Sequence, residues 1–206
     1  MRAGRGRAAL ILLGLAGLVV SGCSPFWSGR AGASLPPGRA LVIARPAGLE
    51  NRAVVEGAAD LVIASLQDSA DTIGVRDLLR EAGAFGVAVW APQLVDRIQR
   101  GGWPTPEEAG ELLGRFKVAT VLAVEVTAYD QVWGKYAKFT RVGVSLTAFH
   151  VPASAVVWRL HSDAEVEDKR GRAFQYAMER AVADVMEAVD PRWRFSFAEA
   201  WRSWRR

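Results

Sequence analysis

The sequence predicts a mixed α/β (α+β) domain in which about five strands form one mixed sheet with helices packed on it. Three observations support this fold class. A capped helix beginning after Thr105 leads directly into a long apolar strand. The segments 139–149 and 156–166 alternate apolar and polar residues with the period of two that marks strands. Helical spacing of apolar residues is found earlier, at 54–66, and later, at 172–189.

The stretch from Thr105 to Asp130 contains the strongest local signals. Thr105 is a suitable N-cap, Pro106 suits the first helical position, and Glu108 stands where the carboxylate of a capping box belongs. The following run, 118–124, is apolar with almost no polar alternation. Such a run predicts a strand that is covered on both faces and therefore central in its sheet.

The order predicted for the whole domain, 40–190, is β-α-β-α-β-β-β-α. The remaining segments, in chain order, are a strand at 40–45, a helix at 54–66, a polar loop at 67–74, a short helix at 75–82 ended by Gly83, a strand at 85–90 and a short helix at 93–100. After the central helix and strand come strands at 139–149 and 156–166, which we expect to complete an antiparallel meander, and a closing helix at 172–189.

The alternation in the last two strands predicts which of their residues face the core. In 139–149, the residues expected to face the core are Val142, Val144, Leu146 and Ala148, and those expected on the other face are Arg141, Gly143, Ser145 and Thr147. This alternation is typical of a strand with one face covered. In 156–166, we expect Val156, Trp158 and Leu160 to share one face, opposite Arg159, His161 and Asp163.

The first 22 residues have the three parts of a signal peptide. Arg2, Arg5 and Arg7 form a basic beginning, residues 8–20 are apolar or glycine, and small residues follow. The apolar run is short for a membrane-spanning helix.

Val20-Ser21-Gly22-Cys23 resembles the bacterial lipobox, and Cys23 is the only cysteine in the chain. The resemblance implies cleavage before Cys23, a covalent lipid on its thiol and acylation of the new amino terminus. Ser24, where an aspartate would imply retention in the inner membrane, implies the outer membrane. The alternative is an ordinary secretory signal with an incidental cysteine. Residues 23–39, rich in Gly, Ser, Pro and Ala, then form a tether.

The charge of the mature chain argues against a nucleic-acid partner. The whole chain has a formal charge of +4, but removing residues 1–22 leaves 23 basic and 22 acidic side chains. The basic excess of the whole chain thus comes mainly from the first segment and from the short tail at 191–206, which argues against a nucleic-acid partner.

The central stretch is similar to the α/β lipoprotein domains of the curli-secretion type, the TolB amino-terminal type and the outer-membrane activators of penicillin-binding proteins. The matching residues are Ala109, Gly110, Leu113, Ala119, Val121, Leu122, Val126, Thr127 and Tyr129. Val156-Val157-Trp158 resembles the strand after the family's tight turn, although Ser154-Ala155 replaces its usual Thr-Gly. The resemblance implies the fold and a periplasm-facing accessory role. The chain lacks the long hairpins of the curli-type pore, so a pore is disfavoured.

No catalytic, metal or cofactor site is evident in the sequence. His150 and His161 are the only histidines, and His161 with Asp163 is more typical of an exposed pair on a strand than of a catalytic one. Two histidines without a cysteine or a carboxylate cluster do not make a zinc site. Nucleophile elbows, phosphate loops and dinucleotide fingerprints are absent from the sequence. We therefore expect no enzyme, no small-molecule substrate, and no cofactor beyond the lipid.

The C-terminal tail, 191–206, contains five arginines and three tryptophans. One hypothesis is contact with a partner or with anionic headgroups, because Trp and Arg are favoured in both roles. The residues concerned are Trp193, Trp201, Arg202, Trp204, Arg205 and Arg206. The other hypothesis is that Phe197 and Trp201 fold back and cover a sheet face.

Together these patterns predict a lipid-anchored envelope lipoprotein on the periplasmic face of the outer membrane. We interpret it as a non-catalytic interaction or assembly module that regulates a cell-envelope enzyme, with an envelope protein or further copies of itself as partners. The alternative is an oligomeric accessory of a transport or secretion system.

Overall fold

The computed structural model of the protein describes residues 33–46, 52–67, 69–133, 137–167 and 173–190. The elements in these ranges are β1 (Arg39–Ala44), α1 (Arg52–Leu66), β2 (Thr72–Gly74), α2 (Val75–Ala84), α3 (Trp90–Gln99), α4 (Pro106–Gly114), β3 (Val118–Trp133), β4 (Lys138–His150), β5 (Ala155–Glu167) and α5 (Ala173–Val189). The strands form one sheet in the order β2-β1-β3-β4-β5. β1 is parallel to β2 and β3, whereas β3, β4 and β5 are antiparallel. The predicted fold class and meander are confirmed.

β3 occupies the centre of the sheet, as its continuous apolar run predicts. The side chains of Val121, Leu122, Ala123 and Val124 are all 0% exposed. On one face, Leu122 and Val124 belong to a core completed by α1 and α5. On the other face, Val121 packs with residues of α2, α3 and α4. Both faces are therefore covered along the first half of β3.

The predicted capping box of α4 is present. The backbone N–H of Glu108 donates to the Thr105 hydroxyl at 3.3 Å, and the Glu108 carboxylate accepts from the Thr105 backbone N–H at 2.8 Å. These bonds satisfy two of the backbone donors that the first turn leaves unpaired. Lys117 then takes a left-handed conformation, with φ of 58°, and turns the chain into β3.

The predicted strand at 85–90 is wrong, because the segment is a helix end followed by turns. Gly86 has φ of 73°, its N–H bonds the Gly83 carbonyl, and the Val87 N–H bonds the Ala82 carbonyl. This is the Schellman arrangement, which needs a residue in the left-handed region. Gly86, and not Gly83, therefore ends α2. An apolar run of six residues cannot by itself distinguish a strand from such a connection.

The second strand of the sheet lies in the segment predicted to be a loop. Thr72–Gly74 pairs in parallel with β1, with Ile73 opposite Leu41. Only Ile73 of this three-residue strand is buried. Such a short edge strand has no room for a sequence period, so its polar surroundings predicted a loop.

Two expectations about β4 and β5 need correction. The polar face of β4 is not open throughout, since Ser145 is 5% exposed and Thr147 is 0% exposed. In β5, Trp158 lies opposite Ala148 and Val156 lies opposite Phe149, which belong to the two different cores. The bulge at Val157 therefore places Val156 and Trp158 on opposite faces.

Candidate interaction surfaces

The residues predicted to carry the anchor and the terminal contact lie outside the described residues. These are Val20, Ser21, Gly22 and Cys23 at the beginning and Trp193, Trp201, Arg202, Trp204, Arg205 and Arg206 at the end. The lipid site, the tail and the division of the chain into segments remain predictions. The described residues show where both segments join the domain.

The described chain begins and ends at the same end of the sheet. The Trp158 indole N–H donates to the Ser34 carbonyl at 3.2 Å, which places the beginning of the described chain beside the start of β5. α5 runs back along β5, since Phe174 packs edge-to-face on Tyr129 near the far end of β3 and Asp184 accepts a bond from Ser162 halfway along β5. Asp190 therefore also lies near the start of β5.

The opposite end of the sheet presents exposed aromatic side chains. Trp133, the last residue of β3, is 76% exposed, and Tyr129 is 50% exposed. The Lys138 amine lies 5.3 Å from the centre of the Trp133 ring. The two ends of the meander are about 30 Å apart, because nine residue steps separate Trp158 from Glu167, the last residue of β5. We call Tyr129, Trp133 and Lys138 the hairpin patch.

A polar cluster crosses the meander on the face opposite α5. His161 Nε2 and Arg141 each lie 3.1 Å from the Asp163 carboxylate, and His161 Nδ1 lies 3.5 Å from the Thr127 hydroxyl. Gly143 makes this approach possible, because a Cβ atom there would lie 2.6 Å from both the Asp163 carboxylate and the Thr127 hydroxyl. Thr127 is the extra residue of a bulge between Val126 and Ala128. The sequence indicated the His161–Asp163 pair but not its other members.

This cluster holds the Asp163 carboxylate in its charged form. Burial raises the pKa of Asp163, but the hydrogen bonds from His161 and Arg141 outweigh burial, and the pKa is lower than the ordinary value. The hydroxyl, imidazole and carboxylate resemble a nucleophile, a base and an orienting acid. However, the Thr127 contact is at the outer limit of a hydrogen bond, and Asp163 is shared with Arg141. The geometry therefore favours a bridge between strands.

Arg45 forms a second, buried network that sequence reasoning missed. Its guanidinium donates to the carbonyls of Ile98 at 2.8 Å and Gly102 at 3.1 Å, and it pairs with Glu125 at 3.1 Å. These bonds connect the end of α3 with β3. The one available signal was an arginine directly after a buried strand.

Three further findings concern Trp103, metal ions and membrane-spanning helices in the described part of the chain. Trp103 stacks on Phe149 with ring centres 5.0 Å apart, so it packs locally and is not a free contact residue. Among the described residues, no group of His, Cys, Asp and Glu could hold a metal ion. In the same ranges, none of the helices combines the length and hydropathy needed to cross a membrane.

Comparison with known proteins yields structural likeness alone. No family model matches the chain, and no curated protein matches its sequence. A variant of the PelC dodecamer from Paraburkholderia phytofirmans has 17% identity, 77% and 93% coverage of the two chains, and a TM-score of 0.50. Lipoprotein GNA1162 from Neisseria meningitidis has 13% identity, 73% and 99% coverage, and a TM-score of 0.46. The LpoB C-terminal domain from Escherichia coli has 14% identity, 69% and 93% coverage, and a TM-score of 0.39.

Lipoprotein GNA1162 is thus among the solved structures that this chain resembles. At 17% identity, the likeness to PelC shows a shared fold. A shared fold does not by itself transfer an activity or a partner.

Proposed function

We propose that this protein is a lipoprotein of the bacterial outer membrane that is anchored at Cys23 and faces the periplasm. Its α/β domain acts as a non-catalytic interaction module that regulates a cell-envelope enzyme. The observation that carries the proposal is the position of Cys23, the only cysteine, directly after a basic segment, an apolar segment and two small residues. Two or three acyl chains at this position would anchor the chain stably.

The arrangement of the described residues supports an orientation for the anchored domain. The Ser34 contact brings the tether to the start of β5, whereas Trp133 lies at the other end of the meander. An anchored domain would then direct the hairpin patch away from the membrane. Exposed tryptophan and tyrosine are side chains that frequently dominate protein interfaces. We propose the hairpin patch as the contact with the enzyme.

The Trp/Arg-rich tail has a separate role in this proposal. Because Asp190 lies near the entry point of the tether, residues 191–206 start at the end of the domain that faces the membrane. Arginines can attract anionic headgroups and tryptophans favour the membrane interface. Deleting residues 192–206 tests this role. In a purified chain that begins at residue 24 and so carries no lipid, weaker binding to anionic vesicles with an unchanged melting temperature would support it, whereas a large loss of thermal stability would mean that the tail covers the domain.

The anchor and the partner are tested in the same cells. Mass spectrometry of the purified chain should find residues 1–22 removed and lipid on Cys23, and Cys23→Ala should prevent both. Crosslinking and pull-down from cells that carry the lipidated chain should recover an envelope enzyme in stoichiometric amount, and the Cys23→Ala chain should not recover it. A chain that carries its lipid but recovers no envelope protein would contradict the regulatory role alone.

A second candidate function is an oligomeric accessory of a transport or secretion system. It is favoured by the outer edge of β5, to which no strand in the described part of the chain is paired. Light scattering of the purified lipoprotein in detergent distinguishes the two functions. Discrete higher oligomers would favour the accessory, and a strict monomer would exclude it.

A further inference from the structure

The outer edge of β5 has the length and the charge pattern to pair with a second copy of itself. β5 comprises 13 residues, and its ladder hydrogen bonds in the described structure go to β4 on one side only. A long edge strand offers a row of unpaired N–H and C=O groups to another chain. Charged side chains often prevent such pairing, so their order along the strand decides which partner fits.

We propose that two copies of this protein pair their β5 strands antiparallel about a two-fold axis through His161. In this register, Arg159 of each copy lies opposite Asp163 of the other. Arg159 donates to Thr147 at 3.0 Å, and no carboxylate of the described residues pairs with it. The Asp163 side chain is 36% exposed and remains charged beside Arg141. Opposite charges that face each other across antiparallel strands stabilise the pairing, and the two-fold axis forms this pair twice.

The other face of β5 is compatible with the same register. Trp158 of one copy lies opposite Ala164 of the other, so a large side chain meets a small one. Beyond Trp158, the bulge at Val157 ends the regular strand, which limits the pairing to residues 158–164. The interface thus has a defined beginning and end.

The helix above β5 adds to the proposed interface. α5 contacts both β4 and β5. If its axis lies over the midline between these strands, the axes of the two copies are about 10 Å apart, a usual distance for packed helices.

A disulfide test in cells reads this register directly. Residues directly opposite in an antiparallel pair have Cα atoms about 4.5–5.5 Å apart, within reach of a disulfide. His161→Cys in the full-length chain should therefore form disulfide-linked dimers in the oxidising periplasm. Asp163→Cys is the matched control, because two copies of that residue would lie about 13 Å apart along the strands.

A second set of variants keeps His161 in place, so that a disturbance of the fold by the His161→Cys change cannot be mistaken for a lack of pairing. The double variant Arg159→Cys with Asp163→Cys should crosslink, because position 159 of each copy lies opposite position 163 of the other. Neither single variant should crosslink. In the His161→Cys background, Arg159→Glu should slow disulfide formation about tenfold, because both symmetry-related pairs become repulsive. Comparison at equal amounts of protein in the membrane fraction excludes differences in folding.

The proposed pairing does not depend on the regulated enzyme, whereas the disulfide test in cells rests on the proposed periplasmic location. The parent chain, without any added cysteine, tests the anchor in the same experiment. A free Cys23 thiol would itself form disulfide-linked dimers, whereas a lipidated Cys23 would not. Equal crosslinking of His161→Cys and Asp163→Cys, or none in His161→Cys and in the double variant, would overturn the two-fold pairing. Dimers that form only after deletion of residues 192–206 would also overturn it, because they would show that the tail covers this edge.

Discussion

The guanidinium of Arg45 lies 4.4 Å from the centre of the Trp103 ring, and Trp103 is itself stacked on Phe149. Arg45 is only 6% exposed. Its hydrogen bonds to Ile98, Gly102 and Glu125 satisfy the guanidinium inside the protein. The network therefore joins the end of β1 to the end of α3 and to the middle of β3.

We expect Arg45→Met to lower the free energy of unfolding by about 3 kcal/mol. The change removes one partner of a buried ion pair and leaves the Glu125 carboxylate and two carbonyls without their donor. Arg45→Lys should also destabilise the protein, because an ammonium group cannot make the same planar set of bonds. Urea unfolding measures both.

The control for the Arg45 change is Arg52→Met. Arg52 pairs with Glu56 on the exposed surface of α1, with side chains 73% and 51% exposed. This change should alter the unfolding free energy by less than about 0.5 kcal/mol. Equal effects of the two substitutions would mean that the Arg45 network contributes no more than a surface pair.

Gly86→Ala should destabilise the protein by about 1 kcal/mol. Nothing lies within 4 Å of the added Cβ, so the cost comes from the left-handed conformation with φ of 73°. Gly83→Ala is the matched substitution, because Gly83 lies inside α2 and also has open space around it. It should stabilise by about 0.5–1 kcal/mol through helix propensity. If chemical denaturation gave both changes the same sign, the assignment of Gly86 as the helix-ending residue would be wrong.

Asp163→Asn should remove a pH-dependent part of the stability. The pKa of Asp163 is lowered in the folded protein, so its charged form stabilises the fold at pH values above the ordinary carboxyl pKa. This contribution is lost as the pH falls from that value through the lower folded pKa. Because the side chain is 36% exposed, we expect less than about 1 kcal/mol.

Melting curves from pH 7 to pH 2 measure this contribution. The difference between the parent and Asp163→Asn should be present at neutral pH and decrease in acid. Glu111→Gln is a suitable comparison, since Glu111 pairs with Arg115 on the surface of α4. A difference between the parent and Asp163→Asn that grows as the pH falls would contradict the sign of the pKa shift.

Trp133→Ser should leave stability within about 0.5 kcal/mol of the parent, because the side chain is 76% exposed. If the hairpin patch contacts the regulated enzyme, the same change should reduce its recovery in the crosslinking pull-down at least about tenfold. Val89→Ser provides the control, since Val89 is also 76% exposed but lies in the connection before α3. An equal recovery with both variants would remove the hairpin patch from the proposal.

Local physical chemistry explains which parts of the fold were predictable. The capping box of Thr105 and Glu108 involves neighbours in sequence, and the apolar run of β3 records its burial on both faces. The alternation in β4 and β5 likewise predicted the meander. In each case the pattern is contained in one segment and does not depend on distant residues.

The errors occurred where a segment depends on a distant partner or on a single backbone angle. Thr72–Gly74 becomes a strand only because β1 lies beside it. The segment 85–90 becomes a turn because Gly86 adopts a left-handed conformation after α2. The reversal between Val156 and Trp158 follows from a bulge, which the alternation of residue types does not reveal.

By itself, the sequence of this protein determined the α/β class, the capped helix before the central strand, the meander and the expectation of a lipid anchor. Each of these rests on neighbouring residues, whose spacing and chemistry act over a few positions. Only the tertiary structure decided the strand order, the burial of Arg45 beside Trp103, the cluster around Asp163 and the position of β5 at one edge of the described sheet. These depend on contacts between residues far apart in the chain, and such contacts exist only once the sheet has formed.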